Sequence, residues 1–345
     1  MPTNNHLGQV FRTRLRPEPS ARPRSGTGNA PPSAPPEGPR RILAVIDPKQ
    51  PASAALDRAV RLAQAHDAEL MIAAVLGTPV DETVFVDDYP DHCETPDDIC
   101  AFERIRLHEH AERVRTAVRS CGVHLIVGVP HYAVLQFAQS WGADLVVKQA
   151  ACAPDFAASP WLRYDDTDRA LLKRFPHPVL VERPGDGAPD GPALAVVQPG
   201  RTPARFDSSA AVVAHRHLLE RAGTPVHLLD LNRAVGGRRQ PGAVPCDRWP
   251  GPPAEDAAKV PASRRAALAN ALRDNIGMNG VIHAIGDAAD ATGAGLVVVP
   301  VAPVRGLWRL VGSDVAERIL AWTDYSILGV KRSDFRCPIG ALEAR

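Results

Sequence analysis

Apolar and polar positions along this chain alternate between strand-like runs and helix-like stripes. Ile42 to Ile46 is an unbroken apolar run, the pattern of a strand covered on both faces. From Pro51 to His66 the spacing changes: Leu56, Val60 and Ala63 fall at i, i+4 and i+7, which predicts a helix. Leu70 to Leu76 reads as a second strand, and an acidic loop from Asp81 to Asp98 leads to a long helix over Ile99 to Ser120. A strand over Val123 to Val129, a helix over Ala133 to Trp141 and a strand over Asp144 to Lys148 follow. A loop without glycine then reaches a helix over Thr167 to Arg174, and a strand over Val179 to Glu182 closes the unit.

The same order then begins again. Leu43-Ala44-Val45-Ile46-Asp47-Pro48 returns as Leu194-Ala195-Val196-Val197-Gln198-Pro199, and the far ends match too. Asp165-Asp166-Thr167-Asp168-Arg169-Ala170-Leu171-Leu172 lies over Ser313-Asp314-Val315-Ala316-Glu317-Arg318-Ile319-Leu320, with the last strand starting equally far beyond each. A repeat this long is a duplicated domain rather than a solenoid unit. The second copy reads as strand Leu194 to Val197, helix Ser208 to Ala222 and strand Val226 to Leu231. A Pro/Gly-rich loop (Gly236 to Pro261) and a helix (Ala262 to Asp274) come next, then strand Gly295 to Val299, helix Val315 to Ala321 and strand Ile327 to Lys331. Little room is left between that long helix and Gly295, and Gly277, Gly280, Gly286 and Gly293 fall there, so the fourth strand of this copy is expected to be very short or lost.

Strands alternating with helices imply parallel pairing through right-handed crossovers. The expected fold class is therefore α/β: two tandem doubly wound domains with mainly parallel five-stranded sheets, the second eroded. Boundaries fall at 40–184 for the first domain, 185–192 for a Gly/Pro/Asp linker, 193–332 for the second domain and 333–345 for a tail. Residues 1–39 are rich in Pro, Ser, Gly, Ala and Arg without aliphatic periodicity and are expected to be disordered. Their arginines (Arg12, Arg14, Arg16, Arg22, Arg24) leave two readings open, contact with an acidic partner or a solvated tail.

Composition narrows the function. A net charge of +1 gives no global field for nucleic acid or an anionic membrane, and the apolar runs are strand-length, too short to span a bilayer. The six cysteines (Cys93, Cys100, Cys121, Cys152, Cys246, Cys337) include no C-x-x-C pair and suit reduced thiols. No apolar h-region follows the basic residues near the start, so a cytoplasmic location is expected. There is no Walker A loop, no G-x-G-x-x-G after a strand and no G-x-S-x-G elbow, so no enzyme activity is expected.

The strings I-L-A-V-I-D-P, D-L-V-V-K, T-D-x-x-L-L-K-R and F-P-H-P-V-L-V, with G-L-V-V-V-P and V-G-S-D-V-A-E-R-I-L in the second copy, resemble the universal stress protein family, most closely its tandem, E-type members. The resemblance covers roughly 40–183 and 193–332. It implies a doubly wound, Rossmann-like fold paired through its last strands. In a tandem chain that pairing is expected to be internal, Val179 to Glu182 with Ile327 to Lys331, in a monomer.

ATP-binding members of that family carry G-x2-G-x9-G-[S/T] after the fourth strand, where glycines admit the phosphates to a helix N-terminus. Here the motif fails twice. No glycine follows Lys148 before Gly185, and Asp165-Asp166 stand at the Gly-Ser positions. In the second copy Pro300 and Pro303 replace the first two glycines and offer no N–H, and alignment on V-A-E-R puts Ser313-Asp314 at the Gly-Ser positions. Asp314 with Glu317 reads as a D-x-x-E capping box, and Asp166 as the cap of the equivalent helix. A carboxylate there repels phosphate by about 4 kcal/mol at roughly 4 Å and an effective dielectric near 20. The helix dipole offers only about 0.3–1 kcal/mol in return. No cofactor is therefore expected, ATP included, with Gly306, Gly312 and Ser313 left as a vestigial nucleotide site.

Other candidates carry two readings each. Asp47 is a ribose contact by the family pattern or a turn residue before Pro48. Lys148 is part of the same vestigial site, or holds an acid in a structural ion pair, with Asp47 the suggested acid. Cys93, Cys100, His108 and His110 suggest a metal only superficially, because the two histidines point to different faces of a helix, and no metal site is expected. The leading expectation is a non-enzymatic stress-response protein acting through binding or regulatory protein partners. The alternatives are an adenine-nucleotide sensor using the second domain and a carrier of a small apolar ligand.

Overall fold

The computed structural model describes residues 38–50, 52–77, 95–150, 166–183, 191–197, 209–230, 280–301, 315–323, 325–331 and 335. The first copy contributes β1 (Arg41–Val45), α1 (Ala54–His66), β2 (Glu69–Leu76), α2 (Pro96–Val114), β3 (Ser120–Val127), α3 (Pro130–Trp141), β4 (Leu145–Gln149), α4 (Asp166–Arg174) and β5 (Val179–Glu182). The second contributes β6 (Ala193–Val197), α5 (Ser209–Arg221), β7 (Val226–Asp230), a helix α6 over 280–292, β8 (Leu296–Pro300), α7 (Val315–Trp322) and β9 (Ser326–Val330).

All nine strands join one sheet in the order β3-β2-β1-β4-β5-β9-β8-β6-β7. Pairing is parallel within each copy. The junction is antiparallel: β5 meets β9 with Val179 opposite Gly329 and Leu180 opposite Leu328. Side chains alternate across the sheet, as a two-residue period demands. Leu43 and Val45 enter the core shared with α3 and α4, while Ile42, Ala44 and Ile46 enter the core shared with α1 and α2. Both cores run through the junction. The first includes Leu171, Leu172 and Phe175 together with Ile319 and Leu320, and the second includes Leu180 with Leu328.

Three differences from the sequence reading have physical causes. The long helix starts earlier, at Pro96, because Thr95 and Asp98 form a capping box: the Asp98 N–H donates to Thr95 Oγ1 and the Thr95 N–H to Asp98 Oδ2. It ends at Val114, which frees Ser120 to begin β3 in register with Glu69. In the second copy the described part of the glycine-containing stretch before Gly295 is the helix α6 and holds no strand, and the strand expected over Gly295 to Val299 is β8. Among the described residues α2 and the edge strand β3 of the first copy have no counterpart in the second. The expected helix Ala262 to Asp274, the 1–37 segment and most of the acidic loop lie outside the described residues.

Candidate functional site

In the first half of the sheet the chain leaves β1 toward β2 on one side and arrives at β4 on the other, so the crevice of a doubly wound sheet lies between the C-terminal ends of β1 and β4. The side chains there are joined in a directed hydrogen-bond chain. Ser53 caps α1 by accepting from the Leu56 N–H at 3.3 Å, and its own hydroxyl donates to Gln149 Oε1 at 2.8 Å. The Gln149 amide donates to Gln50 Oε1, and the Gln50 amide donates to Asp47 Oδ2 at 3.3 Å. Asp47 Oδ1 accepts from the Lys49 N–H at 3.0 Å, so Asp47 sits in an Asx turn. The chain starts on buried groups (Ser53, Gln149) and ends on an exposed carboxylate.

His110 of α2 closes the same mouth from the side. Arg113 can only donate, so His110 Nδ1 is the acceptor and Nε2–H donates to the Pro48 carbonyl at 3.4 Å. Burial, followed by the charge of Arg113, holds this imidazole below its ordinary pKa. His108 lies exposed on another side of the same helix. Among the described residues no group of His, Cys, Asp and Glu is arranged to hold a metal; Cys93 lies outside them. Cys100 and Cys121 are free thiols whose pKa burial pushes up.

Lys148 pairs with Asp168, not with Asp47, which corrects the sequence reading. Val146 and Val147 face opposite cores, so Lys148 shares the α4 side of β4 with Val146. There its Nζ lies 2.8 Å from Asp168 Oδ1 and donates to the Gln149 carbonyl at 3.0 Å. Asp166 is also corrected. It lies within α4 rather than capping it, and its carboxylate lies 3.6 Å from Arg169. Glu317 Oε1 lies 2.5 Å from Lys173 Nζ, and the capping box with Asp314 falls outside the described residues. Gly306, Gly312, Ser313, Asp314, Asp165 and Gln198 lie outside the described residues.

Residues 38–183 match the universal stress protein family. No curated protein sequence matches the chain. The universal stress protein fold extends further. A solved structure from Pseudomonas aeruginosa UCBPP-PA14 superposes with a TM-score of 0.59 at 18% identity, covering 90% of this chain and 99% of its own. A protein of unknown function from P. aeruginosa PAO1 gives 0.57 at 18% identity, covering 86% of this chain and 94% of its own. A universal stress protein from Archaeoglobus fulgidus DSM 4304 gives 0.50 at 12% identity, with coverage of 85% and 97%. At these identities the likeness speaks for the fold alone. Among the described residues no helix is long and apolar enough to cross a membrane.

The sequence singled out Asp47 and Lys148 but passed over Gln50, Ser53 and Gln149, while His110 was weighed only as a metal ligand and Asp168 only as part of the repeat. Ser53 was legible as a helix cap before an Ala-rich stripe. Gln149 and Gln50 carry no motif, Asp168 belongs to the T-D-x-x-L-L-K-R string without a role read from it, and the packing of β4 between α1 and α4 gives them roles.

Proposed function

We propose that this chain is a tandem, E-type universal stress protein, serving stress response through binding and contacts with regulatory protein partners rather than through catalysis. The match of 38–183 to the family supports the stress-response role. The observation that carries the rest is the closed chain from Ser53 through Gln149 and Gln50 to Asp47. The described residues of this crevice do not fit a nucleotide. Each Asp47 oxygen already accepts a hydrogen bond, and the Gln149 amide is engaged by Ser53 and Gln50. Lys148, the nearest cation on β4, is committed to Asp168. A ligand reaching past Asp47 would have to break the buried Ser53–Gln149 contact, at about 1–3 kcal/mol when left unmet. In the second copy Pro300 stands where β4 has Gln149 and presents no N–H. We place the protein in the cytoplasm.

A thermal-shift screen with ATP, ADP and AMP tests this. A ligand at a hundredfold its Kd stabilises by about 2.7 kcal/mol, an easily read shift. The expected result is no shift for the native chain. A clear shift with any of the three would replace this reading with the nucleotide-sensor alternative. Asp314→Ser is expected to raise nucleotide affinity if charge repulsion is what bars the second copy; an unchanged response would assign the block to Pro300 and Pro303.

A further inference from the structure

We propose that the junction between the two halves is keyed for unlike partners: the α4–β5 face of the first copy fits the α7–β9 face of the second and rejects another face like itself. This rests on reading the halves as copies, and on two observations at the junction.

The first is charge. Residues 165–183 lie over 313–331 without a gap, so Arg169 and Glu317 are equivalent positions, as are Lys173 and Ala321. Across the antiparallel β5–β9 junction these equivalents meet. Glu317 Oε1 lies 2.5 Å from Lys173 Nζ and 3.9 Å from Arg169 Nε, and its side chain is only 4% exposed. If a second first-copy face replaced α7, an arginine would stand in the place of Glu317, and Arg169 and Lys173 would face that third cation in place of the buried carboxylate. If two second-copy faces met, two buried glutamates would face each other with alanine in the lysine's place. Like charges at buried positions are screened little by salt.

The second is a hydroxyl. Ser326 Oγ accepts from the Arg183 N–H at 3.0 Å and also hydrogen-bonds the buried Glu182 side chain. Glu182 pairs with Arg58 at 3.3 Å. The equivalent of Ser326 in the first copy is Pro178, which has no hydroxyl. A like-with-like junction would leave the Arg183 amide and the Glu182 carboxyl without that partner.

Hydrogen exchange read by mass spectrometry on the full chain tests the proposal, with β1 and β2 as internal controls. In Glu317→Arg, which gives the second copy the first copy's residue, protection of β5 and β9 is expected to be lost while β1 and β2 keep theirs. The charge-swapped chain Arg169→Glu, Lys173→Glu, Glu317→Arg is expected to regain it. Should Glu317→Arg unfold the whole chain, the swap still decides, because recovery requires complementarity. Ser326→Ala is expected to lose protection at the C-terminal end of β5. Full protection of β5 and β9 in Glu317→Arg, or a charge-swapped chain as exposed as Glu317→Arg, would overturn the proposal. Neither outcome depends on whether the crevice binds a nucleotide.

Discussion

Lys148 and Asp168 form a buried ion pair in the first copy, and the residues at their positions in the second are Val299 and Ala316, both buried. The two copies thus offer alternative solutions to one packing problem. Removing one member of such a pair strands the other charge and typically costs about 3–5 kcal/mol, whereas replacing both is often near neutral. Lys148→Val alone is therefore expected to destabilise by about 3–5 kcal/mol. Lys148→Val with Asp168→Ala should recover most of that loss, as read by urea denaturation. A double variant no more stable than the single one would show that the pair is not exchangeable as a unit. Lys148 illustrates how far the sequence reaches at this scale. Its position at the sheet mouth and its structural role were legible from the strand pattern. Its partner was not, because the choice between Asp47 and Asp168 depends on which face of β4 the side chain takes.

Elements were most legible where hydrophobic spacing is regular. β1, β5 and α1 fall within a few residues of their expected bounds, and α7 and β9 within one. The boundaries of α2 were not, because its buried stripe runs through Ile99, Glu103, Leu107 and His110, two of them polar. A stripe so interrupted has no clear apolar period, and the start is set by the capping box instead. Thr95→Ala is expected to cost about 1 kcal/mol by thermal or urea unfolding, and no measurable loss would mean that Pro96 and tertiary packing define the end alone. The helix α6 misled for the opposite reason. Gly280 and Gly286 argued against regular structure, yet Ile285 and Ala289 are fully buried and α6 packs on β8 through that face. Burial outweighs a glycine penalty of about 1 kcal/mol.

At the scale of the molecule, the nine strands among the described residues form a single sheet with one antiparallel junction. The helices α1 and α5 meet across it where His66 Nε2 contacts the Leu218 carbonyl at 2.9 Å. Burial holds His66, His110, His124 and His177 below the ordinary histidine pKa. In each the unfolded chain binds the proton more readily, so the contribution to stability is full above about pH 6.5 and is lost as pH falls through the lowered values. Glu182 acts oppositely: burial raises its pKa, so its contribution is present below the ordinary carboxylate range and lost as pH rises through the raised value. With four histidines against one carboxyl, the urea midpoint is expected to fall between about pH 7.5 and 5.5; a flat or rising midpoint would mean that Glu182 dominates.

The α/β fold with its large, mostly parallel sheet was legible from the alternation of strand and helix patterns. The self-satisfied crevice was not, because its closure depends on three amide and hydroxyl groups that share no motif. That closure is the central claim, and isothermal titration of ATP into the full-length chain tests it most directly. The account predicts no binding heat beyond dilution at micromolar protein. A saturable isotherm with a micromolar Kd would contradict it.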